Sequence, residues 1–139
     1  MSLGLALLII HSLVRWVVVI IGIVALVLFA LAWARKQGNV QQQNWLMRWF
    51  TIALDTQVLI GIVLILVDAF AAGQGFPLNR IEHAVTMLIA LAVAHASTRW
   101  RQAEPVEQAR AYTFILVAVM ILIFIGVSLL GGDRWAFRT

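Results

Sequence analysis

Four runs of apolar residues, each about twenty long and joined by short polar links, decide most of what this chain can become. A helix needs roughly 20 apolar residues to cross the hydrocarbon core of a bilayer. The expected spans cover about residues 10–34, 50–71, 81–98 and 112–130. Composition agrees: 63% of the 139 residues are hydrophobic and 12% are charged, whereas soluble domains are about 45–50% apolar. So few charges do not coat a water-soluble surface. The expected fold is therefore all-α, an integral membrane four-helix bundle that occupies residues 1–139 as a single transmembrane domain.

The links carry the topology. The first, 35–48, is rich in Gln and Asn, carries Trp45 and Trp49, and is expected to lie along the headgroups. The second, 72–80, contains Gly73, Gly75 and Pro77, a turn-forming set. In the third, 99–111, Glu104-Pro105 suits the start of a helical lead-in to the last span, because proline is tolerated in a first turn. Arg35, Lys36, Arg48, Arg99, Arg101 and Arg110 flank one side, against Arg80, Arg134 and Arg138 on the other. The positive-inside rule puts the richer side in the cytoplasm. The expectation is an up-down-up-down bundle with both termini on the outer face. Trp33, Trp45, Trp49, Trp100 and Trp135 fall near span ends, as interfacial aromatic residues do, and Trp16 joins them if the outer boundary crosses the first helix near Arg15.

The net charge of +4 does not indicate a nucleic-acid partner, since the basic residues sit in short clusters at span ends. The N-terminal run lacks the basic start of a secretory signal and is expected to remain as a helix. The absence of cysteine excludes thiolate metal sites, iron–sulfur clusters and c-type haem attachment. Gly-rich phosphate loops, nucleophile elbows and metalloprotease motifs are also missing.

Ionisable groups inside hydrocarbon cost at least about 2.5–3.5 kcal/mol each, so they are expected to face a partner, a cavity or a cofactor. The first helix has His11, Ser12 and Arg15; the second has Asp55, Gln57 and Asp68; the third has Glu82, His83 and His95. They sort by position into an outer layer of His11, Arg15, Asp68, Glu82 and His83, and an inner layer of Asp55, Gln57 and His95. The fourth helix has only Thr113 and Ser128 and is expected to pack or face lipid.

One use of these residues is a b-type haem, with His11 and His83 as axial ligands of the iron and Arg15 or Arg80 for the propionates. Counted from the inner ends, the two histidines differ in depth by about 12 Å at 1.5 Å per residue. A second haem lacks a partner for His95. The rival use is structural: Arg15 with Glu82 or Asp68, and His95 with Asp55, as helix–helix pairs worth about 0.6–2 kcal/mol each. A third use is a proton or quinone path, against which stands the apolar stretch between the layers. A copper or zinc site from His11, His83 and Glu82 would need a further ligand.

Taken together, His11-Ser12-x-x-Arg15-Trp16, Gln57-x-x-x-Gly61, Glu82-His83 with Met87-Leu88-Ile89-Ala90, and Trp135-x-Phe137-Arg138 resemble a group of small four-helix bacterial membrane proteins described as cytochrome b-like. The similarity runs through nearly the whole chain in the same order. Members often carry further histidines beside the first and in the second helix; apolar residues and Asp55 stand there in this chain. The resemblance implies a multi-pass protein of the bacterial cytoplasmic membrane, with periplasmic termini. It implies a small cytochrome b-like subunit of a respiratory or photosynthetic electron-transfer complex, possessing one haem b, with lipid, other membrane subunits and quinone as partners. The alternative is a cofactor-free accessory subunit packed against the other transmembrane subunits of a larger complex. In neither case is the chain expected to be an enzyme alone.

Overall fold

The apolar runs become four long helices, and the computed structural model describes residues 1–136. Phe137 and Arg138, part of the C-terminal motif, lie outside the described residues, as does Thr139. The helices are α1 (Leu3–Ala34), α2 (Val40–Leu66, continued by a π-helical turn Val67–Ala71), α3 (Leu78–His95, continued by a 3₁₀ turn Ala96–Trp100) and α4 (Pro105–Ser128). All four are long and apolar enough to cross a membrane.

Local chemistry sets the boundaries, and they extend beyond the apolar runs. The Ser2 hydroxyl accepts from the Leu5 N–H at 3.2 Å and starts α1 seven residues before the expected span. The Asn39 side chain accepts from the Gln42 N–H at 3.0 Å and starts α2 at Val40. The segment expected to lie along the headgroups is thus mostly helical, and Trp45, Arg48 and Trp49 ride on the first turns of α2. Glutamine forms helices well, so a Gln-rich link next to a cap extends the helix rather than interrupting it. α1 closes on Lys36, whose φ of 52° lets the Gln37 N–H reach the Ala32 carbonyl and the Lys36 N–H reach that of Trp33. The Gly73–Gly75 turn behaves as its sequence indicates, with φ of 66° and 64°. Pro105 occupies the start of α4 as expected.

The helices form a ring in which α1 packs on α2 and α4, and α3 packs on α2 and α4. Small residues permit the close approaches: Ala25, Ala90, Ala94 and Ala109 are fully buried, and a Cβ on Gly22 would stand 2.8 Å from Met120 Sδ. Phe29, Phe50, Leu54, Tyr112, Leu116 and Val119 fill the centre. The outside is inverted relative to a soluble bundle. Ile20, Leu59, Phe70, Phe114 and Phe124 are among many large apolar side chains exposed on the outside, an arrangement that water penalises and lipid does not.

Near the starts of α2 and α4 the centre is polar. Gln108, fully buried, accepts from Gln43 Nε2 at 2.8 Å, while its own amide donates to the carbonyls of Trp100 (2.8 Å) and Arg101 (3.1 Å) and to Asn44 Oδ1 (3.1 Å). Tyr112 Oη also donates to Asn44 Oδ1 at 2.6 Å. These amides clasp the α2 start to the α3–α4 connection. Among the described residues the opposite end has no such amide clasp, and α1 and α3 lie diagonally across the ring without close backbone packing.

Replacing Gln108 with leucine removes its bonds to Gln43, Asn44 and the Trp100 and Arg101 carbonyls, leaving Gln43 with the Pro105 carbonyl and Asn44 with Tyr112 and the Arg101 carbonyl. The expected loss is about 1–3 kcal/mol, read as a lowered midpoint of thermal unfolding in detergent; an unchanged midpoint would show that the clasp does not hold this end.

Candidate functional site

The unclasped end holds a cavity of about 240 Å³ lined by His11, Ser12 and Arg15 of α1, by Gln57, Gly61 and Asp68 of α2, and by Asn79, Arg80 and His83 of α3, with Arg134 from the chain after α4. Helical spacing explains the grouping, because residues four apart share a face. His11 and Arg15 are one such pair, and Gln57 and Gly61 are another.

His11 and His83 meet inside this cavity, their ring centroids 6.5 Å apart and their planes at 81°. The expected depth mismatch is smaller than the count from the inner ends gave: α3 continues through the 3₁₀ turn to Trp100, and counted from the cavity end His83 is the sixth residue of α3 and His11 the ninth of α1, an offset of about 4.5 Å at 1.5 Å per residue. His83 Nδ1 is 2.7 Å from the Gly126 carbonyl of α4. A carbonyl only accepts, so Nδ1 carries a proton.

Gln57 organises His11. Its amide nitrogen donates to the His11 carbonyl at 3.0 Å, which fixes the sense of the amide, and lies 3.2 Å from His11 Nε2. That ring nitrogen therefore accepts, and the proton sits on Nδ1. Among the described residues, His11 Nδ1 and Gln57 Oε1 are buried without a hydrogen-bond partner. Gln57 thus belongs with the two histidines and not with Asp55 and His95, as its position along the sequence had indicated. Gly61 makes the arrangement possible, since a Cβ there would stand 3.0 Å from His11 Cε1.

The mouth is cationic. Arg15 is buried, with its guanidinium 5.9 Å from the ring of Trp16 and 5.5 Å from that of Trp135, at cation–π distance. Trp135 also meets Trp16 edge-on at 6.0 Å and stacks on Phe124 at 6.0 Å, which draws the chain after α4 back over the bundle. Asp68 stands on the π-helical turn and pairs with Arg80 at 2.8 Å, and Arg80 donates also to Gln74 Oε1 at 3.0 Å. Arg80, in the first turn of α3, is thus the described partner of Asp68.

Two further expectations need correction. Glu82 is exposed on α3, outside the cavity lining, and its carboxylate makes no ion pair among the described residues. Its neighbour His83 points inward, and adjacent residues on a helix diverge by about 100°. The described residues also contain no group of three or more His, Asp or Glu side chains able to hold a metal, so a copper or zinc site with Glu82 as third ligand is not formed. His95 and Asp55 do pair, at 2.8 Å, but on the bundle exterior.

Whether a haem suits these residues turns on donors and room. Two imidazoles sharing one metal through nitrogens at roughly 2.0–2.1 Å stand with centroids about 6 Å apart, close to the 6.5 Å observed. A pair of protein donors suits a metal whose remaining ligands come from a macrocycle, and cationic side chains at the mouth suit propionates. The donor set fits. The cavity volume of about 240 Å³ lies below the roughly 300–1,000 Å³ of drug-sized sites, so α1 and α3 must part along their loosely packed diagonal to admit a porphyrin.

Sequence reasoning did not find Gly126 or Gln108. A backbone carbonyl has no signature in sequence, and Gln108 lay in a segment assigned to a polar link. Arg134 had been used only to orient the chain.

Substituting Gly61 with alanine is expected to displace the His11 ring and to destabilise the fold by about 1–3 kcal/mol through overpacking. Thermal unfolding reads the second effect. The imidazole nitrogen resonances read the first, and unchanged His11 signals would remove Gly61 from the site. No family model, curated protein or solved structure matches this chain.

Proposed function

We propose that the chain is a cytochrome b-like membrane subunit of a respiratory or photosynthetic electron-transfer complex, holding one b-type haem between α1 and α3. In this reading it runs up-down-up-down through the bacterial cytoplasmic membrane with its termini outside. Support for alternation comes from which ends meet: Gly4 lies beside Asp68, Asn44 donates to the Arg101 carbonyl, and His83 bonds to Gly126. Support for orientation comes from the excess of Arg and Lys at the clasped end.

The observation that carries the haem reading is the facing pair His11 and His83, with His83 Nδ1–H held by the Gly126 carbonyl. That bond aims the Nε2 lone pair away from α4 and raises its donor strength, as outer partners of metal-ligating histidines do. Bound haem supplies reversible one-electron storage. His11 and His83 would hold its iron and Arg15 and Arg80 its propionates, and the apolar walls of Leu54, Val58 and Met87 would exclude water and set the potential. Lipid surrounds the bundle, other membrane subunits adjoin it, and quinone is the lipid-soluble carrier suited to exchange electrons with it.

A specific observation favours the second reading, a cofactor-free accessory subunit packed against other transmembrane subunits: Gln57 already occupies His11 Nε2. The two readings separate in one optical spectrum of protein purified from haem-replete cells. The expected result is a Soret band with a b-type α-band on reduction, lost in His11→Ala and in His83→Ala and retained in Glu82→Gln. A colourless wild-type protein that stays colourless on titration with haem would leave only the accessory reading. Removing the competing amide with Gln57→Leu is expected to tighten haem binding by roughly 2- to 12-fold, the equivalent of one hydrogen bond at about 0.5–1.5 kcal/mol.

A further inference from the structure

At the clasped end a cleft of about 250 Å³ opens where α1 gives way to α2. Leu28, Phe29 and Ala32 of α1 and Leu46 of α2 line it on the bundle side, and Gln37, Gly38 and Gln43 are among the residues that line its rim. Trp33 and Trp45, each next in sequence to a lining residue, are exposed, as aromatic residues at a bilayer surface are. The cleft thus straddles the boundary between acyl chains and head groups. Its rim is charged one way. No Asp or Glu occurs among residues 1–54, and Arg35 and Lys36, both exposed, immediately precede Gln37 and Gly38. The last carbonyls of α1 are occupied: Leu31 accepts from the Arg35 N–H, Ala32 from that of Gln37 and Trp33 from that of Lys36. At the α2 start, Asn39 meets the N–H groups of Gln42 and Gln43, whereas those of Val40 and Gln41 make no hydrogen bond among the described residues. The first turn of α2 holds no acid. Free N–H groups at a helix start beside cations favour an anion. Glu104 and Glu107, exposed at the start of α4, pair with neither cation among the described residues.

A buried amide adds a second requirement. Gln43 is 4% exposed, and its Nε2 donates to the Pro105 carbonyl at 3.1 Å and to Gln108 Oε1 at 2.8 Å. Its Oε1 has no partner and lies against Gly38, where a Cβ would stand 2.6 Å from it. The cleft therefore has an unmet acceptor at its rim, and only a donor answers it. We infer that this cleft binds an anionic phospholipid whose head group carries hydroxyls, of the phosphatidylglycerol type. Its phosphate meets the α2 start beside Arg35 and Lys36, a head-group hydroxyl serves Gln43 Oε1, and the first acyl carbons run along Leu28, Phe29, Ala32 and Leu46. Phosphatidylcholine brings neither net charge nor donor, phosphatidylethanolamine brings a donor without net charge, and free phosphate leaves the apolar wall unfilled. The inference rests on the membrane-spanning part of the proposed function and is independent of haem.

The test is a titration of the full-length protein, stripped of lipid in detergent, with binding read by native mass spectrometry. The probes are phosphatidylglycerol, phosphatidylethanolamine, phosphatidylcholine and inorganic phosphate. Phosphatidylglycerol is expected to bind roughly 5- to 30-fold more tightly than phosphatidylcholine, the range that one or two cations beside a lipid head supply. Arg35→Gln with Lys36→Asn is expected to abolish that preference; asparagine tolerates the φ of 52° at this position. Since those cations also help to orient the chain, Ala32→Trp is the second variant. It keeps both charges, fills the apolar wall, and is expected to lose phosphatidylglycerol at unchanged helicity. Equal binding of phosphatidylglycerol and phosphatidylcholine, tighter binding of phosphatidylethanolamine, inorganic phosphate binding as well as the lipid, or a preference that either variant leaves intact would each overturn the inference. Absence of the chain from the membrane fraction would instead overturn the membrane reading itself.

Discussion

Hydrocarbon supplies no hydrogen bonds, and the outward surface of this bundle is built for hydrocarbon. Every polar group along the four helices must therefore find its partner within the protein. The helices meet that demand for their backbones. The side chains meet it in a few places: the amides of Gln43, Asn44 and Gln108 at one end, Gln57 with His11 and His83 with Gly126 at the other, and Asp55 with His95 on the exterior. Between these places the interior is carried by van der Waals contact, with fully buried alanines setting how near the helices come.

The two ends differ in what fills them: amides tie the α2 start to the α3–α4 connection at one, whereas imidazole and guanidinium groups line the space between the helices at the other. A ring closed at one end and open at the other leaves a cavity, to whose lining the chain after α4 adds Arg134. The π-helical turn at Val67–Ala71 adds to this, since its wider winding presents Asp68 to Arg80 beside the opening. Gly61 and Gly126 sit where α2 and α4 face the two imidazoles, with Gly61 making room for one ring and the Gly126 carbonyl receiving the other. The site is thus a property of four helices at once, and each contributes a group whose purpose is clear only beside the others.

The electrostatics follow the same division. Arg80 has its carboxylate in Asp68, and Arg15 lies against two indole rings, whose faces stabilise a guanidinium in a partly dry setting. A cavity with two imidazoles beneath a cationic mouth is suited to a ligand that is apolar in its body and anionic at its edge. That description suits a haem with propionates, and it is the physical basis on which the proposed function stands.

What the sequence determined by itself is the architecture: four apolar runs of membrane-spanning length, the Gly73–Gly75 turn, the proline start of α4, and the inward use of His11 and His83. These depend on local composition and helical period, which are visible one segment at a time. Helix lengths were less legible, because Ser2 and Asn39 carry α1 and α2 well past the edges of their apolar runs. The layer to which Gln57 belongs, the partner of Asp68, the outward turn of Glu82 and the burial of Gln108 were decided only when the helices packed. Each depends on the relative height and rotation of two helices, and a shift of one residue turns a side chain by about 100° and moves it about 1.5 Å. Hydropathy fixes neither quantity to that accuracy; interlocking side chains do.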